Sequence, residues 1–237
     1  MKSNKILISL ALTMGLALSS YPAVHAASQS KVNVQYTSRF VSEFPQLTHD
    51  VIFENGRIFL PIRELATMLQ LHVQWDQKQK AATFIQPGKE LIISTKTKKV
   101  QSNGKTYTLD TPLKIHNSRI YVPVRFVAEW FNGEAVWDEK TRTVVIKDNS
   151  PFISASVDQE MYWFDLSKGE LYRSIGGQTP VKLGSFKVPD GVGAAPTFTS
   201  IEAEKMSGSN RWLSIHLTAR ELSGVYVVHG VFLKDGQ

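Results

Sequence analysis

No cysteine occurs among the 237 residues, and that absence removes several kinds of chemistry at once. No disulfide can staple the fold, so a core buried by the chain itself must hold it, which a chain of this length can supply. Thiolate metal sites, cysteine nucleophiles and a lipid-modified N-terminal cysteine are excluded with it. Long apolar runs are nearly as scarce. Only Ile6–Leu18, preceded by Lys2 and Lys5, is uncharged throughout, and it falls short of the roughly 20 residues that a spanning helix needs. Val24-His25-Ala26 then places small residues where a signal peptidase reads, so residues 1–26 are expected to form a removable export signal, with no membrane span left after its removal. Export without disulfides fits a secreted, wall-associated protein of a Gram-positive type of envelope. The chain end shows no apolar tail with basic residues, so any wall attachment is expected to be noncovalent.

Recognisable catalytic motifs are also missing. There is no Gly-x-Ser-x-Gly elbow, phosphate loop or His-Glu-x-x-His. Glu202 and Glu204 would share a strand face, but a paired-carboxylate mechanism needs a separation across a cleft that sequence spacing cannot supply. They read as a solvated strand face. Catalytic and metal residues are therefore assigned as none, and no cofactor is expected.

What the sequence does have is a repeat. Asn55-Gly-Arg57-Ile-Phe-Leu-Pro61-Ile-Arg63 returns 62 positions later as Asn117-Ser-Arg119-Ile-Tyr-Val-Pro123-Val-Arg125, and Trp75-Asp76 returns as Trp137-Asp138. No gap separates these anchors, so one supersecondary unit is duplicated whole, over about 50–87 and 112–149. Asn-Gly and Asn-Ser predict turns, the apolar runs after them predict strands, and each proline predicts a helix start. Ile62, Leu65, Ala66 and Leu69, like Val124, Val127, Ala128 and Phe131, fall at helical spacing on one face. Each copy is expected to continue through Trp75 or Trp137 into a hairpin, with Leu91–Ser94 and Lys105–Leu109 as linking strands.

The run N-G-R-x-x-x-P-x-R, the L-A-x-x-L helix and the x-V-x-W-D strand resemble the stalk domain named after the N-terminal domain of copper amine oxidases, over roughly Asp50–Lys147. The resemblance implies an α+β domain of antiparallel strands with short helices, common in exported proteins of Bacillus-like and Clostridium-like bacteria. It does not imply copper or amine oxidation, because the stalk is not the catalytic domain of those oxidases. The chain itself agrees: beyond the export segment its histidines are His49, His72, His116, His216 and His229, with no His-x-His pair, and no tyrosine stands in the Asn-Tyr-Asp/Glu context of the quinone cofactor.

The repeated Arg63 and Arg125 with Asp76 and Asp138 admit two readings. Each arginine is either a latch onto strand-end carbonyls or the aspartate of its own copy, or a fork for a carboxylate or phosphate ligand. Occurring once per copy, they are read as latches. Trp75 and Trp137 are read as core anchors, and Asn55, Arg57, Pro61, Asn117, Arg119 and Pro123 as parts of the repeat plan. Trp130, which stands where the first copy has Met68, and Trp163 and Trp212 are the candidates for an exposed aromatic surface. Residues 27–150 carry 17 Lys/Arg against 12 Asp/Glu, and 151–237 carry 8 against 9, so the duplicated part is the basic one. Lys96, Lys98 and Lys99 lie before an Asn103-Gly104 turn, where they form either a solvated strand face or a patch for an anionic wall polymer. Nucleic acid is not an expected partner, given the export signal and the lack of a recognition motif.

Residues 151–237 belong to no recognised family and read as a mostly-β domain, with a hairpin at Met161–Tyr172, a loop of small residues at 189–196, strong strands near Arg211–Leu217 and Gly224–Leu233, and a final turn at Asp235-Gly236. The fold class expected for the whole is α+β: a duplicated strand-helix-hairpin stalk with an antiparallel sheet at 27–150, then this β-domain. The function expected is a noncatalytic exported binding or scaffold protein that contacts envelope polysaccharide or a protein partner. The alternative is a wall-polysaccharide hydrolase, or enzyme-associated module, with its site in the C-terminal domain.

Overall fold

Tight turns set the geometry of both copies in the computed structural model, which describes residues 31–38, 42–186, 196–205, 211–219 and 225–233. The expected export segment at 1–26, most of the expected loop at 189–196 and the expected turn at Asp235-Gly236 lie outside the described residues. Strands β1 (Asn33–Thr37) and β2 (Ser42–Glu43) precede the first copy, which comprises β3 (Ile52–Glu54), β4 (Arg57–Pro61), α1 (Ile62–Met68), β5 (His72–Asp76) and β6 (Ala81–Gln86). Three linking strands follow: β7 (Lys89–Ser94), β8 (Lys99–Ser102) and β9 (Lys105–Thr108). The second copy is β10 (Lys114–His116), β11 (Arg119–Pro123), α2 (Val124–Trp130), β12 (Glu134–Asp138) and β13 (Thr143–Lys147).

Asn55 and Gly56, at φ 51° and 71°, join β3 to β4, while Asn117 and Ser118, at 47° and 60°, join β10 to β11. Positive φ at both central residues gives the turn whose twist matches that of hairpin strands. The two hairpins then meet in one sheet of order β10-β11-β4-β3. Leu60 pairs with Val122, flanked by Phe59 opposite Pro123 and Pro61 opposite Tyr121. Leu60 and Val122 are repeat equivalents, so each strand meets its own counterpart, as across the axis of a two-fold dimer.

Pro61 and Pro123 close their strands at ψ 134° and 116° and stand just ahead of the helices, not within their first turns. Lacking an N–H, each is suited to a position where strand pairing ends. The helices bury Leu65, Ala66 and Met68 in one copy and Val124, Val127 and Ala128 in the other. Both stop in the same way. Gln70 and Asn132 take left-handed φ of 57° and 63°, which lets Leu71 N–H donate to the Ala66 carbonyl at 2.8 Å and Gly133 N–H to that of Ala128 at 2.7 Å. That is the 6→1 bond of a Schellman turn.

These early stops overturn the α+β expectation. Among the described residues twenty strands stand against two helices of seven residues each, so the protein is mostly β. The apolar stripes at 62–69 and 124–131 are genuine, but a left-handed residue ends each after two turns and the chain returns to strands. A single antiparallel stalk sheet is corrected as well. Strand β6 continues into the order β5-β6-β7-β8-β9, whereas β13 sits in the order β12-β13-β1-β2 and pairs in parallel with β1, Val34 opposite Val144.

Beyond Pro151, β14 (Phe152–Val157), β15 (Glu160–Asp165), β16 (Glu170–Ile175) and β17 (Val181–Ser185) form an antiparallel meander. A second sheet holds β18 (Pro196–Lys205), β19 (Arg211–Ala219) and β20 (Val225–Leu233). Ile153, Phe164 and Leu171 of the meander share one hydrophobic cluster with Ile201, Leu213 and Ile215 of the second sheet. A larger cluster, built on Leu60, Phe84, Val122, Phe131 and Ile146, serves the repeats. Gln70 ties the two regions together. Its carbonyl accepts from Trp163 Nε1 at 2.7 Å and its Oε1 from Ser154 Oγ at 2.5 Å.

Candidate functional site

A cleft of about 610 Å³ opens where the β3–β4 turn, the end of β9, α2 and β12 converge. Arg57, Asp110, Arg125, Phe126, Glu129 and Trp137 line it. Each arrives by a local rule. The left-handed Asn55-Gly56 turn presents Arg57, whose Nη2 meets Asp110 Oδ2 at 2.5 Å; that guanidinium bond holds the Asp110 carboxyl below its ordinary value. Arg125, on the first turn of α2, donates from Nε to the Ala135 carbonyl of β12 at 3.4 Å. Phe126 and Glu129 project three residues apart on the same helix, hence to one side.

On the rim, three aromatic rings form a chain. Tyr107 of β9 meets Trp130 edge-on at 5.0 Å, and Trp130 tilts against Phe126 at 5.5 Å. Tyr107 is 42% exposed, while Trp130 and Phe126 are half-buried against the repeat core. The carbonyl of Trp130 and Oδ1 of Asn132 accept from Lys89 Nζ at 3.1 and 2.6 Å, so the lysine fixes the helix end that carries the tryptophan. Burial lowers the pKa of that ammonium.

The other expected residues scatter. Trp163, expected on an exposed surface, is fully buried, because its indole N–H is spent on Gln70 and its ring fills the interior. Trp212 is 38% exposed, its Nε1 donating to Ser214 Oγ at 3.0 Å, far along the sequence in β19. Lys96, Lys98 and Lys99 are all exposed. Lys98 alone of the three reaches the cleft wall, donating to the Asp110 carbonyl at 3.4 Å. Lys99 pairs with Thr108, which puts it on the face of the hairpin opposite Tyr107.

The other repeat-signature residues are placed as follows. Trp75 and Trp137 are half-buried against the core, with Nε1 donating to Gln77 Oε1 at 2.8 Å and Glu139 Oε2 at 2.5 Å. Phe53 stacks on Trp137 at 5.1 Å. Asp76 accepts from the amides of Lys78 and Gln79, and Asp138 from those of Lys140 and Thr141; these turn bonds depress the Asp138 carboxyl, Thr141 contributing most. Arg119 donates to the Asn117 carbonyl at 3.3 Å. Arg63 is exposed and lines a second cleft, of about 570 Å³, with His72, Gln74, Asp158 and Glu160. His72 Nδ1 is buried there without a hydrogen-bond partner, and burial lowers its pKa. Glu202 and Glu204 stay exposed on β18.

Sequence reasoning missed Tyr107 and Phe126. Their signal was present, an unmatched aromatic in the linking hairpin and a Phe where the first copy has Glu64, but only the tertiary approach of β9 to α2 unites them. Among the described residues no group of three or more His, Asp or Glu could hold a metal ion, and no helix is long and apolar enough to cross a membrane.

Residues 42–146 match the family model of the copper amine oxidase N-terminal domain. No curated protein matches the chain. The matched span runs from β2 into β13 and contains the first copy, the linking hairpin, all but the last residue of the second copy and the whole cleft, so residues 42–146 form a copper amine oxidase N-terminal-like domain.

Proposed function

We propose that this is an exported, noncatalytic binding module of the cell envelope, with the cleft beside α2 as its contact surface. The observation that carries this reading is the partly exposed chain Tyr107–Trp130–Phe126 at the rim of a cleft lined by two arginines. Flat aromatic faces beside fixed hydrogen-bond donors suit the recognition of a polymer better than the turnover of one. The matched domain is named for the N-terminal part of the oxidases, not for the part that holds their metal and quinone. Pairing a pull-down of residues 27–237 on purified peptidoglycan and wall polysaccharides with a reducing-sugar assay tests it. Retention without released sugar ends supports the module. Sugar release would replace it with a hydrolase, whose first candidate site would be the second cleft, with Asp158 and Glu160.

A further inference from the structure

Resting on that envelope-binding reading, we infer that the ligand is an acidic glycan, whose sugar rings lie on the Tyr107–Trp130–Phe126 face while its carboxylate or phosphodiester groups meet the cations beside it. The aromatic face explains the rings. Tyr107 stands nearly perpendicular to Trp130 at 5.0 Å and is 42% exposed, so part of its ring is accessible to the apolar C–H side of a sugar. Phe126 carries the same surface down into the cleft.

Charge selects the class of glycan. Arg57 and Arg125 line the cleft, Lys98 reaches its wall at the Asp110 carbonyl, and Lys105 lies two residues before Tyr107, on the same face of β9. Asp110 and Glu129 of the lining match its two arginines, Arg57 being paired with Asp110 at 2.5 Å, and Lys98 and Lys105 come in addition. A positive excess is left over, and an arginine fork receives a carboxylate or phosphate through two bonds at once. Uncharged glycan would find the rings but would bring no anion to Arg125, Lys98 and Lys105. The wider charge asymmetry points the same way, since the basic excess lies in residues 27–150 and not in 151–237.

Affinity electrophoresis of residues 27–237 through gels containing polygalacturonate, a phosphodiester-bearing wall polymer or a neutral β-glucan tests the inference. Retardation is expected in one or both acidic gels and not in the glucan gel, and the gel that retards identifies the carboxylate or phosphodiester source. It should weaken as salt is raised, since these contacts are exposed to screening. Tyr107→Ser should lower the affinity about tenfold, the loss of one aromatic contact, and Lys105→Ala, at an exposed residue, should lower it less while leaving the melting curve in place. Equal retardation by the glucan, or unchanged affinity in both variants, overturns the inference. Retention on whole walls with no retardation by either acidic polymer overturns it while leaving envelope binding intact. No retention on walls at all overturns both.

Discussion

The two copies end their helices in the same left-handed turn and then give that turn to different neighbours. In the first copy the carbonyl and side chain of Gln70 are taken by Trp163 and Ser154, so the end of α1 is sealed against the C-terminal region. In the second, Asn132 and the carbonyl of Trp130 are taken by Lys89, and the end of α2 keeps a face toward solvent. A duplicated backbone plan therefore yields one closed copy and one open copy. The open one brings Trp130 and Phe126 to the aromatic chain and α2 and β12 to the larger cleft, so the positions where the copies differ are the ones to change.

The largest effect should come from unsealing the first copy. Trp163→Ala removes a fully buried indole and leaves the Gln70 carbonyl without its donor, an expected loss of about 3–5 kcal/mol; Lys89→Ala, its counterpart at the second copy, should cost only about 1 kcal/mol. Chemical denaturation of both variants checks the contrast, and equal losses would break it. Next comes Gly133, which stands where the first copy has Leu71. A Cβ at Gly133 would lie 2.6 Å from the Lys147 carbonyl and 3.1 Å from that of Ala128, both backbone, so Gly133→Ala should destabilise by about 1–3 kcal/mol.

A pH-dependent difference follows from the strand ends. Asp148 and its repeat equivalent Gln86 are both buried, at 5% and 2% exposure, but only the former can ionise. Burial raises the Asp148 carboxyl above its ordinary value, against the opposing bonds from Ser150 and Tyr36. A folded value above the unfolded one means a contribution fully present below the unfolded pKa and lost as pH rises through the folded one. Thermal melts from the acid range upward should show that loss in the parent, and Asp148→Asn should abolish it. Smallest is Ser118, which sits at φ 60° where the first copy has Gly56 at 71°. Ser118→Gly should stabilise by about 0.5 kcal/mol, the relief of left-handed strain exceeding the added freedom of the unfolded chain; a lower melting temperature would refute that balance.

Local chemistry was legible in the sequence, and distant pairing was not. Asn-Gly and Asn-Ser marked the hairpin turns, and the prolines marked where strands give way to helix, because each acts within four residues. The α+β class failed because helical spacing at 62–69 and 124–131 says nothing of how soon Gln70 and Asn132 stop the helix. The parallel pairing of β1 with β13 joins residues more than a hundred positions apart, and no local signal announces it. Trp163 reads as a ligand platform in the sequence, but the Gln70 carbonyl, 93 residues away, holds its N–H. Of the candidate site, Trp130 was visible as a departure from the repeat, whereas Tyr107 and Arg57 reached it only through the fold.

The central claim, that binding depends on the open copy where it departs from the closed one, is tested most directly by Trp130→Met, which gives the second copy the residue of the first. Loss of wall-polymer binding by about tenfold with a melting temperature within a few degrees of the parent is the result expected. Unchanged binding in a folded Trp130→Met protein would contradict it.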